Sequence, residues 1–324
     1  MKKLIITAGI LCLTGCSAPN GVSGMPSSDA KVQRNSSSEL NSVGVTLGDL
    51  SNPFFVVMAQ GAEKEAKRIG GEGVRVTIVS SGYDLNQQFN QIENFVAAST
   101  DLIILNASDS KGIRPAVDQA RAAGSIVIAV DTGVEAEVDA TVTTDNVQAG
   151  EVGCQYIAER LQGKGNVVIV NGPPVTSVID RVEGCENVLA KYPDIKILSQ
   201  DQNAEGSRDG GLRVMSDLLT TFPDIDAVFA INDPSGVGAD LAANQAKRDD
   251  FFIVGVDGAP EAITAIASQD SLYAATASQN PRGMTQKAIQ VGNDILQGRR
   301  PVESNILIPV ELITKDNVST AKGW

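Results

Sequence analysis

From Val43 onward, short apolar runs alternate with longer stretches in which apolar residues recur at helical spacing. The first series has runs at Val43–Leu47, Val74–Val79, Leu102–Leu105 and Ile126–Val130, with helical patterns at Phe54–Ile69, Leu85–Ala98 and Ile113–Ala123 between them. Unbroken Val/Ile/Leu runs of this length read as strands covered on both faces, so the pattern predicts a parallel sheet flanked by helices. A second series repeats the plan, with strands Val167–Val170, Ile195–Ser199, Ala227–Ile231 and Phe252–Val256 and helices near Ile179–Lys191, Ser207–Thr221 and Gly236–Lys247. Right-handed crossovers build each copy into an open sheet. Between the copies, a strand at Ala140–Thr144 leads into a helix at Val147–Leu161. After the second copy come a strand at Tyr273–Ala277, a helix at Gly283–Gln297 and an extended tail. That last helix is surplus to the second copy and is expected to return to the first sheet. One lobe then takes 41–145 plus about 280–307 and the other about 146–279 plus 308–324, and the crossings between them form a hinge.

The residues just past the strands carry the candidate chemistry. After Val43–Leu47 the chain turns through Asn52-Pro53 into a helix whose first turn holds Phe54 and Phe55, because proline suits that turn. Neighbours on a helix lie about 100° apart, so at least one ring should face the carboxyl ends of the strands, where open α/β sheets bind ligands. The plainer alternative is two ordinary core rings. Asn106 and Asp109 follow the third strand, Asp131 the fourth, and Asn171, Asn232, Asp233, Asp257 and Gln279 their counterparts downstream. Taken singly, each is more readily a helix cap or turn residue. Their recurrence on both copies, together with the Phe pair, points instead to a cleft of amides, carboxylates and an aromatic platform. Such a cleft suits a small neutral polyhydroxylated ligand, whose hydroxyls pair with the polar groups and whose C–H face packs on a ring.

Composition narrows the classes. The 324 residues suit two domains, and 42% apolar content fills two cores. A net charge of −13 argues against a nucleic-acid-binding face. The absence of histidine excludes Ser-His-Asp and Cys-His chemistry and the usual zinc sites, leaving only carboxylate or lysine catalysis open. No metal or cofactor is expected.

Lys2 and Lys3, the apolar run Leu4–Leu13 and the sequence Leu13-Thr14-Gly15-Cys16 form a lipoprotein signal over residues 1–15, with Cys16 as the lipidated first mature residue. The Ser-, Asn-, Gly- and Pro-rich segment to residue 40 reads as a flexible tether. Cys154 and Cys185 remain, on helices either side of one strand, and either pair in an oxidising compartment or stay as buried thiols.

Ser51-Asn52-Pro53-Phe54-Phe55, Leu105-Asn106-Ala107-Ser108-Asp109-Ser110, Thr144-Asp145-Asn146, Ala227-Val228-Phe229-Ala230-Ile231-Asn232-Asp233, Val254-Gly255-Val256-Asp257-Gly258 and Ala275-Thr276-Ala277-Ser278-Gln279 resemble the ribose-type periplasmic sugar-binding proteins of ABC importers. The resemblance covers Asn41 to about Leu312. It implies a periplasmic-binding-protein-like α/β fold of two open parallel-sheet, Rossmann-like lobes, closing on one sugar and delivering it to a membrane permease. It also implies sugar contacts from Asn52, Phe54, Phe55, Asp131, Asn232, Asp257 and Gln279, with Asn106 a secondary candidate. The pattern departs where a family arginine is replaced by Thr132, where another falls at or near Ile179, and where an aromatic wall falls near Gly206. Arg181 matches a later arginine of the same motif. Fewer guanidinium forks and a missing wall disfavour ribose itself and favour another pentose, a hexose or a polyol. The resemblance and the signal segment together imply no enzyme but a monomeric, lipid-anchored, exported importer component. A sugar-sensing receptor coupled to a chemoreceptor or sensor kinase is the alternative.

Overall fold

A computed structural model describes residues 39–321 and 323–324. The signal segment, the lipidation cysteine Cys16 and the tether up to residue 38 lie outside the described residues. The first half runs β1 (Ser42–Leu47), α1 (Pro53–Gly70), β2 (Arg75–Ser80), α2 (Leu85–Ala97), β3 (Leu102–Leu105), α3 (Arg114–Ala122), β4 (Ile126–Val130) and β5 (Ala140–Thr144). The second runs α4 (Asn146–Arg160), β6 (Lys164–Val170), α5 (Thr176–Leu189), β7 (Asp194–Ser199), α6 (Arg208–Thr221), β8 (Ala227–Ala230), α7 (Asp233–Ala246), β9 (Phe252–Asp257), α8 (Pro260–Ala267) and β10 (Tyr273–Ser278). The chain ends with α9 (Pro281–Leu296), β11 (Asn305–Ile308) and β12 (Glu311–Thr314).

Two six-stranded sheets result, ordered β11-β5-β4-β3-β1-β2 and β12-β10-β9-β8-β6-β7. The first is parallel throughout. In the second, β12 runs antiparallel to β10, against the expectation of a purely parallel sheet. An antiparallel edge strand needs no crossover helix, so the tail can join the second sheet directly after leaving the first. Strands β1, β3 and β4 are buried at every position, as central strands of a sheet covered on both faces must be. The edge strand β2 alternates exposed Arg75 and Thr77 with half-buried Val76 and Ile78 and keeps an open side.

Helix α9 does return to the first sheet. Its Met284, Ala288, Ile289, Val291 and Ile295 share a core with Met58 and Ala62 of α1 and with Leu102 and Ile104 of β3. Thr285 Oγ1 donates to the Met58 carbonyl at 2.9 Å, fixing the two helices together. The chain therefore passes between the sheets three times: β5 to α4, β10 to α9, and β11 to β12. The crossings are tied to one another. Asp145 N donates to Ile308 O at 2.8 Å, Val310 N to Gln148 Oε1 at 3.0 Å, and Thr144 Oγ1 to Gln279 Oε1 at 2.6 Å.

Helices α4 and α5 approach closely because glycines meet at their crossing. A Cβ on Gly150 would lie 2.0 Å from Arg181 O, and one on Gly184 2.1 Å from Val147 O. Beside this crossing, Cys154, one turn beyond Gly150, and Cys185, next to Gly184, form a disulfide across a sequence separation of 31. Closing a loop of that size stabilises by about 3 to 4 kcal/mol in the chain-entropy account. Replacing both cysteines with alanine should lower unfolding stability in urea by that order. A loss below about 1 kcal/mol would show that the glycine crossing holds the helices unaided.

Candidate ligand-binding site

The carboxyl ends of the two sheets converge on one cavity of about 60 Å³. From the first sheet, Asn52 caps α1, its Oδ1 accepting from Phe54 N at 3.0 Å. The cap uses the side-chain carbonyl and leaves the amide as a donor at the cavity wall. Phe54 and Phe55 meet edge to face, with centroids 5.3 Å apart. Both rings line the cavity, and both belong to the core of the first lobe at 4% and 5% exposure. Each leans on a second aromatic, Phe54 on Trp324 at 5.6 Å and Phe55 on Tyr83 at 6.1 Å.

Asn106, just past β3, accepts from Gly48 N at 3.0 Å and donates to Asp131 Oδ2 at 2.9 Å and to Thr132 Oγ1 at 3.2 Å. It thereby aims Asp131, which turns off β4 with φ 65°. Burial pushes the Asp131 carboxyl up, while Arg181, Thr132 and Asn106 pull it back.

From the second sheet, Asn232 caps α7, its Oδ1 accepting from Ser235 N at 3.0 Å and its Nδ2 donating to Gly206 O at 2.9 Å. Gly206 itself has φ 63°, and a Cβ there would lie 3.2 Å from Asn232 Nδ2. Asp257 closes β9. Its Oδ1 accepts from Gln279 Nε2 at 2.7 Å and lies 3.8 Å from Arg181 Nη1, and its Oδ2 accepts from Asp233 N at 3.3 Å. Arg181 is buried and held by Asn146 Oδ1 and Ile231 O, both at 2.8 Å.

Asn52, Phe54, Phe55, Asn106, Asp131, Thr132, Arg181, Gly206, Asn232, Asp257 and Gln279 thus surround one space. Ile179 does not join them and is 52% exposed. Residues 179 and 181 lie about 200° apart on α5, so a helix that turns Arg181 inward must turn Ile179 to solvent. The expectation of a candidate position at Ile179 is therefore corrected, and the guanidinium of this wall comes from Arg181. Asp109 is a turn residue, accepting from Lys111 N and Gly112 N. Asp233 lies behind the wall, accepting from Tyr273 Oη at 2.7 Å, Thr276 Oγ1 at 2.8 Å and Ala259 N at 2.8 Å.

Tyr83 and the segment Pro173 to Val178 also contribute lining groups that the sequence pattern did not single out. Tyr83 lies just past the edge strand β2 with φ 60°, so the strand-end rule that marks Asn106 and Asp131 also marks Tyr83 once it is extended to the sheet edge.

Residues 43–300 match the model of the periplasmic binding protein domain family. The chain belongs to this family. It is 33% identical over 320 residues to the ribose import binding protein of Bacillus subtilis, covering 97% of this chain and 100% of that one. Among solved structures, it superposes with TM-score 0.80 and 26% identity on an ABC transporter solute binding protein from Bacillus halodurans with bound myo-inositol, over 88% of this chain and 98% of the other. A fructose binding periplasmic domain of a hybrid two component system is as similar, with TM-score 0.80 and 28% identity over 86% and 92% of the two chains. The protein is a ribose-type periplasmic binding protein, with the type I architecture of two facing α/β lobes. It is a binding protein rather than an enzyme, of a family that works outside the cytoplasm.

Two buried acids make the wall of this binding protein sensitive to pH. Burial and then the Asp257 charge push Asp233 up to about 8, and burial pushes Asp257 up to about 6 against the pull of Arg181 and Gln279. An acid whose folded pKa is raised holds its proton more tightly when folded. Its stabilising contribution is full below the unfolded value of 3.8 and is lost as pH rises through about 6 for Asp257 and about 8 for Asp233. Urea midpoints of the wild type should therefore fall from pH 4 to pH 8 more steeply than those of Asp233→Asn. Parallel profiles would mean that its three donors keep Asp233 ionised throughout.

Proposed function

We propose that the protein binds a monosaccharide or polyol between its lobes and hands it to a membrane permease, as a monomer tethered by lipid on Cys16. The observation that carries this reading is the composition of the cavity wall. Two phenyl rings stand on the first lobe, and carboxylates and amides from both lobes surround the same space. Apolar C–H faces and hydroxyls are the two surfaces such a wall complements. The similarity to a ribose import protein and to a solute binding protein holding myo-inositol supports the class.

Closure is a consequence of the three crossings. Gly133 N, beyond β4, donates to Thr176 Oγ1 at the start of α5 at 2.8 Å, so the rims of the lobes touch. A ligand that bonds groups from both lobes is held by both only when they are closed, and its differential affinity shifts the open–closed balance. Thr132 in place of an arginine and Gly206 in place of an aromatic wall disfavour ribose and favour another pentose, a hexose or a polyol.

Thermal-shift and calorimetric titration with D-ribose, D-allose, xylitol and myo-inositol should raise the melting temperature, with ribose the weakest. A rise with a nucleoside or an amino acid and none with any carbohydrate would overturn the substrate class. Asp257→Asn keeps the shape but removes a charged acceptor worth about 2 kcal/mol, so affinity should fall about thirtyfold without loss of fold. Unchanged affinity would place Asp257 outside the contact set.

The likeness to the periplasmic domain of a two component system favours sensing as the second reading. Deleting the gene should abolish uptake of the ligand if the protein feeds a permease. Intact uptake with a lost transcriptional response would select the sensor. For the anchor, Cys16→Ala should move the exported chain from the membrane fraction to the soluble one, and no change in partition would rule out the lipid tether.

A further inference from the structure

Trp324 touches the binding site from both lobes without lining it. Its segment follows β12 of the second sheet and, with Val318 and Ala321, packs against that lobe's core. Its Nε1 donates to Asp257 O at 2.8 Å, the carbonyl that also accepts from Gln279 N at 2.7 Å. Its ring meets the Phe54 ring of the first lobe at 5.6 Å and 81°, an edge-to-face contact. The half-buried indole thus packs against the first lobe's core and against the second's. Its outer side borders a larger hollow of about 500 Å³, to which Asn52 and Gly206 also contribute. Trp324 therefore stands as the wall behind Phe54.

We infer that Trp324 is a positioning residue that latches the closed form, holding the Phe54 ring in place from the opposite lobe through an indole anchored on the Asp257 carbonyl. The inference deepens the ligand-binding reading and rests on it for its effect on affinity. When the lobes part, Trp324 travels with Asp257, because both belong to the second lobe, and the contact with Phe54 is the one that breaks. An edge-to-face aromatic pair that exists only in the closed form raises the closed fraction before any ligand arrives. Apparent affinity scales with the fraction of molecules in the competent form, so the latch strengthens binding while leaving every ligand contact unchanged.

The rim supplies a ligand-free measurement of closure. A Cβ built on Gly133 lies 3.9 Å from Thr176 Cβ, within the span of a disulfide. In a Gly133→Cys, Thr176→Cys background, the rate of oxidative cross-linking reports how often the lobes close. Adding Trp324→Ala should slow that rate about three- to tenfold, and Trp324→Phe, which keeps a ring but not the N–H, should fall between. Val302→Ala, at a fully exposed position, should change nothing.

In parallel, affinity for whichever of D-ribose, D-allose, xylitol and myo-inositol the wild type takes should weaken by the same factor. Trp324 is the single tryptophan of the chain, so its fluorescence in the wild type should change on ligand addition as the Phe54 contact becomes fully populated. Slower cross-linking with no binding of the four probes would support the latch while failing the ligand class. Unchanged cross-linking in Trp324→Ala, or a wild-type pair that never cross-links, would overturn the latch.

Discussion

The buried carboxylate of Asp257 is the point on which the rest of the structure turns. A charge at 4% exposure is costly unless surrounding groups replace its hydration, and here they come from three separate parts of the chain. Gln279 reaches it from the second crossing, Arg181 from α5, the Asp233 N–H from the start of α7, and Trp324 secures the adjoining carbonyl. None of these groups is near Asp257 in sequence. The carboxylate can therefore sit at the cavity wall only in the assembled fold, and removing any partner exposes the others to the same penalty. Backbone geometry reflects the same demand: Asp257 has φ 140°, outside the ordinary range for a strand residue, at the step where β9 ends.

This arrangement joins the cavity to the crossings. Gln279 donates to Asp257 Oδ1 through its amide and accepts from Thr144 Oγ1 through its carbonyl, and Thr144 stands at the first crossing. A hydroxyl that competes for Asp257 thus perturbs a group shared with the segment about which the lobes move. On the other lobe, Asn106 plays the matching part, tying the loop after β1 to Asp131. Arg181 lies between the two carboxylates and lowers the cost of both. The site therefore retains one fixed cation, although it lacks the arginine replaced by Thr132, and that cation serves the wall first.

Much of the fold was legible because burial on two faces leaves a plain mark. Strands β3 and β4 are unbroken apolar runs and β1 is largely apolar, and the return of α9 could be read from the count of elements. The apolar pattern does not reveal α8, β11 and β12, which are short and owe their form to neighbours far along the chain. The site was legible wherever a residue ends a strand, since strand ends are fixed by the local pattern. Distinguishing Ile179 from Arg181 needed the rotation of α5, and a one-residue motif alignment cannot supply that. Trp324 left no signal at all: its position depends on the tail leaving the first sheet, crossing, and pairing with β10.

The strand-end residues also show why a helix cap and a ligand group are not competing assignments. Asn52 and Asn232 each cap the next helix, and each does so with the side-chain carbonyl alone. An asparagine has two separate polar ends, so capping fixes its rotamer while the amide stays directed at the cavity wall. The Asn232 amide is held further by Gly206 O at 2.9 Å, which leaves one of its two N–H groups for the cavity. Asp109 has both oxygens chemically alike and sits on an exposed turn, so the same logic leaves it structural. A fold that places an asparagine past a strand end in each lobe, after β1 and after β8, therefore obtains two oriented donors, one per lobe, from the local rules that start α1 and α7.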